Sequence, residues 1–215
     1  MKRLVPITTL FLDVGGVLLN NGWDHITRRK VAKHFKLDWG EMQVRHRETF
    51  EIHEEGKLAF EEYLGLVVFY KKRDFTRADF QRFMCAQSKP FPRMIELFSQ
   101  LKIGHGLKIV VVSNEARVVN AYRIRKFKLD RFVDTFISSC FVSVRKPDAR
   151  IFHLALDIAQ AHAREILYIE DTPMFVQVAE GLGIRSILHT DYKSTRAKLS
   201  LFGLQNGRKV TLETS

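Results

Sequence analysis

Five short apolar runs alternate with stretches of helical spacing along most of the chain: Thr8 to Leu12, Leu107 to Val112, Thr135 to Ser138, Ile166 to Ile169 and Arg185 to Leu188. Runs this short, bounded by polar residues or glycine, read as strands. Between the third and fourth, Phe152, Ala155, Leu156 and Ala159 recur at three-to-four-residue intervals and so share one face of a helix. Parallel strands need a crossover between them, so this alternation predicts an α/β fold, a doubly wound parallel Rossmann-like sheet. A chain of 215 residues can build such a core, burying about 70% or more of its unfolded surface. Its 46% hydrophobic and 27% charged residues, with no Gly, Ser or Pro tract, are ordinary for a compact globular protein.

The first crossover is anomalous. More than 90 residues separate the first strand from the second, where a dozen or so suffice. Helical spacing runs through this gap, as in Phe60, Tyr63, Leu64 and Val67, with a glycine break at Glu54 to Lys57. The expected organisation is a core of residues 1–19 and 89–215 interrupted by a small all-helical cap at 20–88. In the second half, Pro147 with Asp148, and Thr172 with Pro173, mark two helix starts, and Gly181 with Gly183 suits a helix end.

The formal net charge of +11 admits anionic partners without choosing among them. The densest basic stretch, Arg123 to Arg131, interleaves with Ile124, Phe127 and Leu129, as an amphipathic segment with a solvated face does, and does not favour nucleic acid. Cys85 and Cys140 lack metal or redox spacing and read as packing residues. The amino-terminal M-K-R and apolar run superficially resemble a secretory signal, but Pro6 and Asp13 interrupt it and no small-residue cleavage site follows. No stretch is long enough to span a membrane. The cytoplasm is the simplest location. Oligomeric state is not legible.

In an open parallel sheet, ligands bind beyond the carboxyl ends of the strands. The polar residues expected there are Asp13, Ser113, Asn114, Lys146, Glu170 and Asp171. Three clustered carboxylates repel one another unless a cation joins them, and a hard oxygen set suits Mg²⁺, which often binds with phosphate. A lysine and a hydroxyl would supply donors for phosphoryl oxygens.

The sequence resembles the haloacid dehalogenase superfamily of hydrolases from Thr8 to about His189. The resemblance rests on L-F-L-D-V-G-G-V, V-V-V-S-N, R-K-P-D-A-R-I-F and Y-I-E-D-T-P with its downstream A-E-G-L-G-I. The stretch H-E-E-G-K-L-A-F-E-E-Y is similar to the cap loop of the family's sugar-phosphate phosphatases. The resemblance implies that Asp13 is a nucleophile forming an aspartyl-phosphate. It implies that Asp13, the Gly15 carbonyl and Asp171 ligate Mg²⁺, with Glu170 at the metal or supporting its water. Ser113 and Lys146 would hold the phosphoryl oxygens, and Asn114 would position the site. The implied substrate is a small phosphorylated metabolite, such as a sugar phosphate.

One departure stands out. Most phosphatases of the family carry a second aspartate two residues after the nucleophile as acid/base, and here that position is Gly15. Such a group is worth about 10² to 10⁴ in rate. Asp24, His25, Glu54 and Glu55 are candidate substitutes at the cap entrance. The alternatives are a metal-free 2-haloacid dehalogenase using the same Asp13, and a catalytically weak member with a binding role. Gly56 reads as a turn, Lys57 and Arg45 as surface charges, and Trp23 and Trp39 as packing residues. His25, His34, His46 and His53 lack metal-site spacing.

Overall fold

The computed structural model describes residues 5–205; the expectations for the amino-terminal M-K-R and for the outer ends of the core, at 1–4 and 206–215, lie outside the described residues. Five strands form one parallel sheet: β1 (Thr9–Leu12), β2 (Lys108–Ser113), β3 (Thr135–Ser138), β4 (Ile166–Glu170) and β5 (Arg185–Leu188), in the order β3-β2-β1-β4-β5. The α/β expectation is met, and two strands run one residue further than expected, so Ser113 and Glu170 are themselves the last residues of β2 and β4. The chain order reverses across β1, which pairs with β2 on one side and β4 on the other, Leu12 lying opposite both Val111 and Ile169. That reversal opens a crevice beside the end of β1.

Strand residues alternate faces, and each face has its own core. Leu10, Leu12, Ile109, Val111, Leu167 and Ile169 pack under α6 (Pro92–His105) and α11 (Tyr192–Leu201). Phe11, Val110, Val112, Ile166 and Tyr168 face α9 (Arg150–Ala159) and α10 (Pro173–Gly181). The expected start at Thr172 and Pro173 is met, but α9 begins at Arg150, not at Pro147. Pro147 and Asp148 belong to the preceding turn, where Asp148 Oδ1 accepts from the Arg150 amide at 2.9 Å. Lys146 is likewise not at a strand end: it follows the short helix α8 (Ser139–Val142) after β3.

Between β1 and α6 lie five helices, α1 (His25–His34), α2 (Trp39–Arg47), α3 (Phe50–Glu54), α4 (Phe60–Val67) and α5 (Arg77–Ala86). They gather a separate apolar cluster around Val31, Tyr63, Leu64, Phe80 and Met84, with Trp39 packed against it. This insert touches the core where Gly56, at φ +70°, passes over α8: a Cβ there would stand 2.4 Å from the Cys140 carbonyl oxygen. Only glycine suits that approach. Both cysteines are buried free thiols, as expected, and burial pushes each up to about 11.

The basic stretch departs from expectation. Arg123, on α7 (Arg117–Lys126), is fully buried, not solvated. Its guanidinium pairs with Glu115 and donates to the Asn20 carbonyl and to Ser88 Oγ. A buried carboxylate opposite it is what allows one charge of the run to turn inward. Among the described residues no helix is long and apolar enough to cross a membrane.

Candidate active site

Asp13 leaves the end of β1 with its amide donating to the Ile169 carbonyl at 3.0 Å, so its side chain stands between the ends of β2 and β4. It is 7% exposed. Lys146 Nζ, itself buried, lies 3.1 Å from Asp13 Oδ1 and donates to Glu170 Oε2 at 2.6 Å and to Tyr168 OH at 3.1 Å. Lys146 is held from behind as well, since the Asn114 side chain accepts from the Lys146 amide at 2.8 Å and donates to its carbonyl at 2.9 Å. The two strand ends therefore fix a loop lysine against the β1 carboxylate.

Glu170 is fully enclosed. Its Oε1 accepts from the Asp171 and Thr172 amides, both at 3.0 Å, while Oε2 takes Lys146 and the Tyr168 hydroxyl. Those four acceptances fill a carboxylate's capacity. Glu170, expected at the metal or supporting its water, uses these bonds to orient Lys146 and the backbone that presents Asp171. Against Asp171 lies the turn after β1: Gly16, at φ +76°, would place a Cβ 1.8 Å from Asp171 Oδ2.

Burial pushes the Asp13 carboxyl up to about 7, with Glu170 adding to the rise and Lys146 and Ser113 opposing it. Burial and Glu170 raise Asp171 to about 6. Burial alone would pull the Lys146 ammonium down, but Asp13 and Glu170 outweigh it and hold it above the ordinary lysine range. Burial would raise Glu170, and Lys146 outweighs that and keeps it below its ordinary value. Carboxylate oxygens of Asp13, Glu170 and Asp171 lie within 4.8 Å of one another. With all three ionised, the one ammonium among them leaves two negative charges, and Asp13 Oδ1 is buried without a hydrogen bond. A hard divalent cation such as Mg²⁺ fits that charge and donor set.

Asp13, Lys146 and Asp171 form the floor of a cavity of about 590 Å³ that is also lined by Gly15, Ser113, Asn114, Thr172 and Phe175. The insert supplies the roof, including Trp23, Arg28, Gln43, His46, His53 and Glu54. All seven expected positions are gathered near the crevice, six of them on the cavity wall with Glu170 behind it. Of the four candidate acid/base groups, Asp24 and Glu54 line the cavity. Asp24 Oδ1 is engaged in capping α1 through the Thr27 amide at 2.7 Å. His25 is exposed, and Glu55 pairs with Lys57 at 2.7 Å. Glu54 is raised by burial and held back by Arg145, whose guanidinium lies 3.0 Å away.

Several cavity residues escaped the sequence reading. The spacing of His46 and His53 points to no site, yet both line the cavity from buried positions. Trp23 packs edge-on to Phe80 at 6.0 Å as a core residue would, but also lines the cavity and donates to Tyr63 OH at 2.7 Å. Arg28 and Gln43 carry no motif. The available signal was their place on the first two helices after Asp13, within the long insertion that follows β1.

The model of the haloacid dehalogenase-like hydrolases matches residues 7–183. Among curated proteins, mouse acyl-CoA dehydrogenase family member 10 is 30% identical over 100 residues, which is 46% of this chain but 9% of that protein, so the match spans a small part of the relative's length. A haloacid dehalogenase family enzyme from Bacteroides thetaiotaomicron superposes with a TM-score of 0.73 at 19% identity, covering 92% of this chain and 99% of that one. The same enzyme has been crystallised with magnesium and inorganic phosphate. A dehalogenase caught with an intermediate superposes at a TM-score of 0.62 and 20% identity, covering 85% of each chain. At these identities the structures share the fold. The family model spans more than half of the chain, from before the Asp13 strand to the turn before β5, and the protein is a haloacid dehalogenase-like hydrolase.

Proposed function

We propose that the protein is a Mg²⁺-dependent phosphatase acting on a small phosphorylated metabolite, with residues 20–88 serving as a cap over the core formed by 1–19 and 89–215. The observation that carries this reading is the charge arrangement at the floor: three carboxylates and one buried ammonium, two negative charges in excess. A largely buried site of that sign attracts a divalent cation, and a cation there offsets the charge of phosphoryl oxygens.

Asp13 attacks phosphorus; the bond from phosphorus to the ester oxygen breaks as the bond to the carboxylate forms, and water later cleaves the aspartyl-phosphate. Ser113 and Lys146 donate to the non-bridging oxygens, and Glu170 keeps Lys146 charged and aimed. Asn114 fixes the Lys146 backbone through its two hydrogen bonds. Asp13 and Asp171 would hold the metal, with the Gly15 carbonyl as a further ligand. Glu54, facing the floor from the roof with a raised pKa, delivers the proton to the leaving oxygen in place of the carboxyl missing at Gly15.

Phosphate release from sugar phosphates, nucleotides and aryl and acyl phosphates, with Mg²⁺ or chelator, tests this on wild type beside Asp13→Asn. Activity lost with either Asp13 or the metal supports the reading. Halide release from a 2-haloacid that persists in chelator would replace it with the dehalogenase, which uses the same nucleophile and needs no acid at Gly15.

A further inference from the structure

The cations around the cavity meet carboxylates within 4 Å with one exception. Lys146 meets Asp13 and Glu170, Arg145 meets Glu51 at 3.1 Å and Glu54 at 3.0 Å, and Arg47 lies 3.5 Å from Glu48. Arg28 has only neutral partners: its guanidinium donates to the Trp23 carbonyl and, at 3.0 Å, to Gln43 Oε1. Among the described residues no carboxylate lies within 4 Å of it. Its Nε is buried without an acceptor.

Gln43 extends the same deficit. Because its oxygen faces Arg28, its amide nitrogen is turned away, and Nε2 is also buried without an acceptor. A charged side chain and a neutral one, linked to each other and both lining the cavity, thus each keep one nitrogen without an acceptor. Buried donors are nearly always satisfied, and where they are not, a missing ligand is one cause. Both nitrogens are closed to solvent, so the acceptor has to be a group that draws the two side chains towards the space they line.

Position decides what that group belongs to. Asp13, Ser113 and Lys146 lie on the floor, at the strand ends, whereas Arg28 is on α1 and Gln43 on α2 in the roof. A phosphoryl group on the floor leaves the remainder of the molecule facing the roof. We propose that this remainder carries a carboxylate, one oxygen for Arg28 and one for Gln43, so that the substrate is the phosphate monoester of a short hydroxy acid. A carboxylate supplies two coplanar acceptors and the negative charge Arg28 lacks. A neutral polyol supplies neither. This specificity rests on the phosphatase reading above and names the substrate class of the same site.

The test compares two esters that differ in one group, 3-phosphoglycerate and glycerol 3-phosphate, with Mg²⁺. Wild type should favour the acid in kcat/KM by about 10- to 100-fold, the worth of a charge-assisted hydrogen-bond pair. Arg28→Met should bring that ratio to near unity. Gln43→Glu should do the same while preserving the fold, because it gives Arg28 a carboxylate of its own and repels the acid; it carries the test if Arg28→Met does not fold. Calorimetric titration of Asp13→Asn should show the same preference in binding, abolished by adding Gln43→Glu. Hydrolysis of both esters with equal kcat/KM, or a preference that survives Gln43→Glu, overturns the inference and leaves the phosphatase standing. Silence towards both esters and towards acetyl phosphate overturns the phosphatase reading and the inference with it.

Discussion

A Cβ placed on Gly15 would stand 2.5 Å from Asn21 Oδ1, and the next nearest atoms also belong to Asn21. The space a second carboxylate would need is therefore filled by the end of an exposed side chain, which can swing away, and not by backbone. Gly16 differs: its positive φ and the Asp171 carboxylate 1.8 Å from its would-be Cβ leave no room for any side chain. Two adjacent glycines thus have opposite tolerances. Gly15→Asp should fold and raise kcat towards alkyl phosphates by about 10-fold or more, towards the range expected of a restored acid/base, and more so with Asn21→Ala. The same substitution should rescue Glu54→Gln, whose loss should fall on alkyl phosphates and spare aryl phosphates, since good leaving groups need no proton. Steady-state rates on the two ester types check both. A Gly15→Asp protein that melts normally but gains nothing would mean that the acid already present is well placed.

At the scale of elements, α7 reaches across to the two connections between insert and core. Asn20 and Lys89 pair through their backbones at 3.0 Å, Lys89 donates to Asn20 Oδ1 at 2.7 Å, and Asn20 donates to the Gln87 carbonyl at 3.1 Å. Arg123 binds both connections, through the Asn20 carbonyl and Ser88 Oγ, while Glu115, just beyond the β2 end, balances its charge. Arg123→Met should cost about 3–5 kcal/mol, chiefly by stranding the Glu115 carboxylate, and Arg123→Met with Glu115→Met should recover a large part of it in denaturant unfolding. No recovery would place the cost in the lost ties to Asn20 and Ser88. This clasp was illegible in the sequence because its parts are far apart along the chain and Arg123 sits in a run of solvated bases. The strands were legible because each is a bounded apolar run, and Asp13, Ser113 and Asp171 because strand ends of a parallel sheet converge. Lys146 was found through its motif, but its position after α8 was not, since nothing local separates a loop from a strand end. Arg28 and Gln43 were invisible for the same reason as the clasp: an unsatisfied donor is a property of surroundings that only the fold assembles.

Over the whole molecule, acid stability is set by groups that oppose one another. Asp13 and Asp171, raised to about 7 and about 6, bind protons in the folded state before the unfolded chain does, so in the absence of metal they favour folding as pH falls through that range. His46 acts in the other direction. Trp23 Nε1 donates to Tyr63 OH, and that hydroxyl lies 2.7 Å from His46 Nδ1, to which its own proton is free to be given when the imidazole is neutral. Burial lowers it to about 3, with Arg28 and His53 adding to the fall. His53 is lowered as well, by burial, while its Nδ1 donates to the Leu58 carbonyl. Between about pH 6.5 and 3 the unfolded chain protonates His46 and the folded one does not, so its contribution is complete above that window and is lost as pH falls through it. His46→Gln keeps an acceptor for Tyr63 but cannot titrate, and it leaves Asp13 and Asp171 unchanged, so their effect cancels in the comparison. The stability of wild type relative to His46→Gln should decline by up to about 1.4 kcal/mol for each unit below pH 6.5, read from urea midpoints at a series of pH values. A difference that stays constant across the window would show that His46 takes up its proton in the folded protein as it does in the unfolded chain.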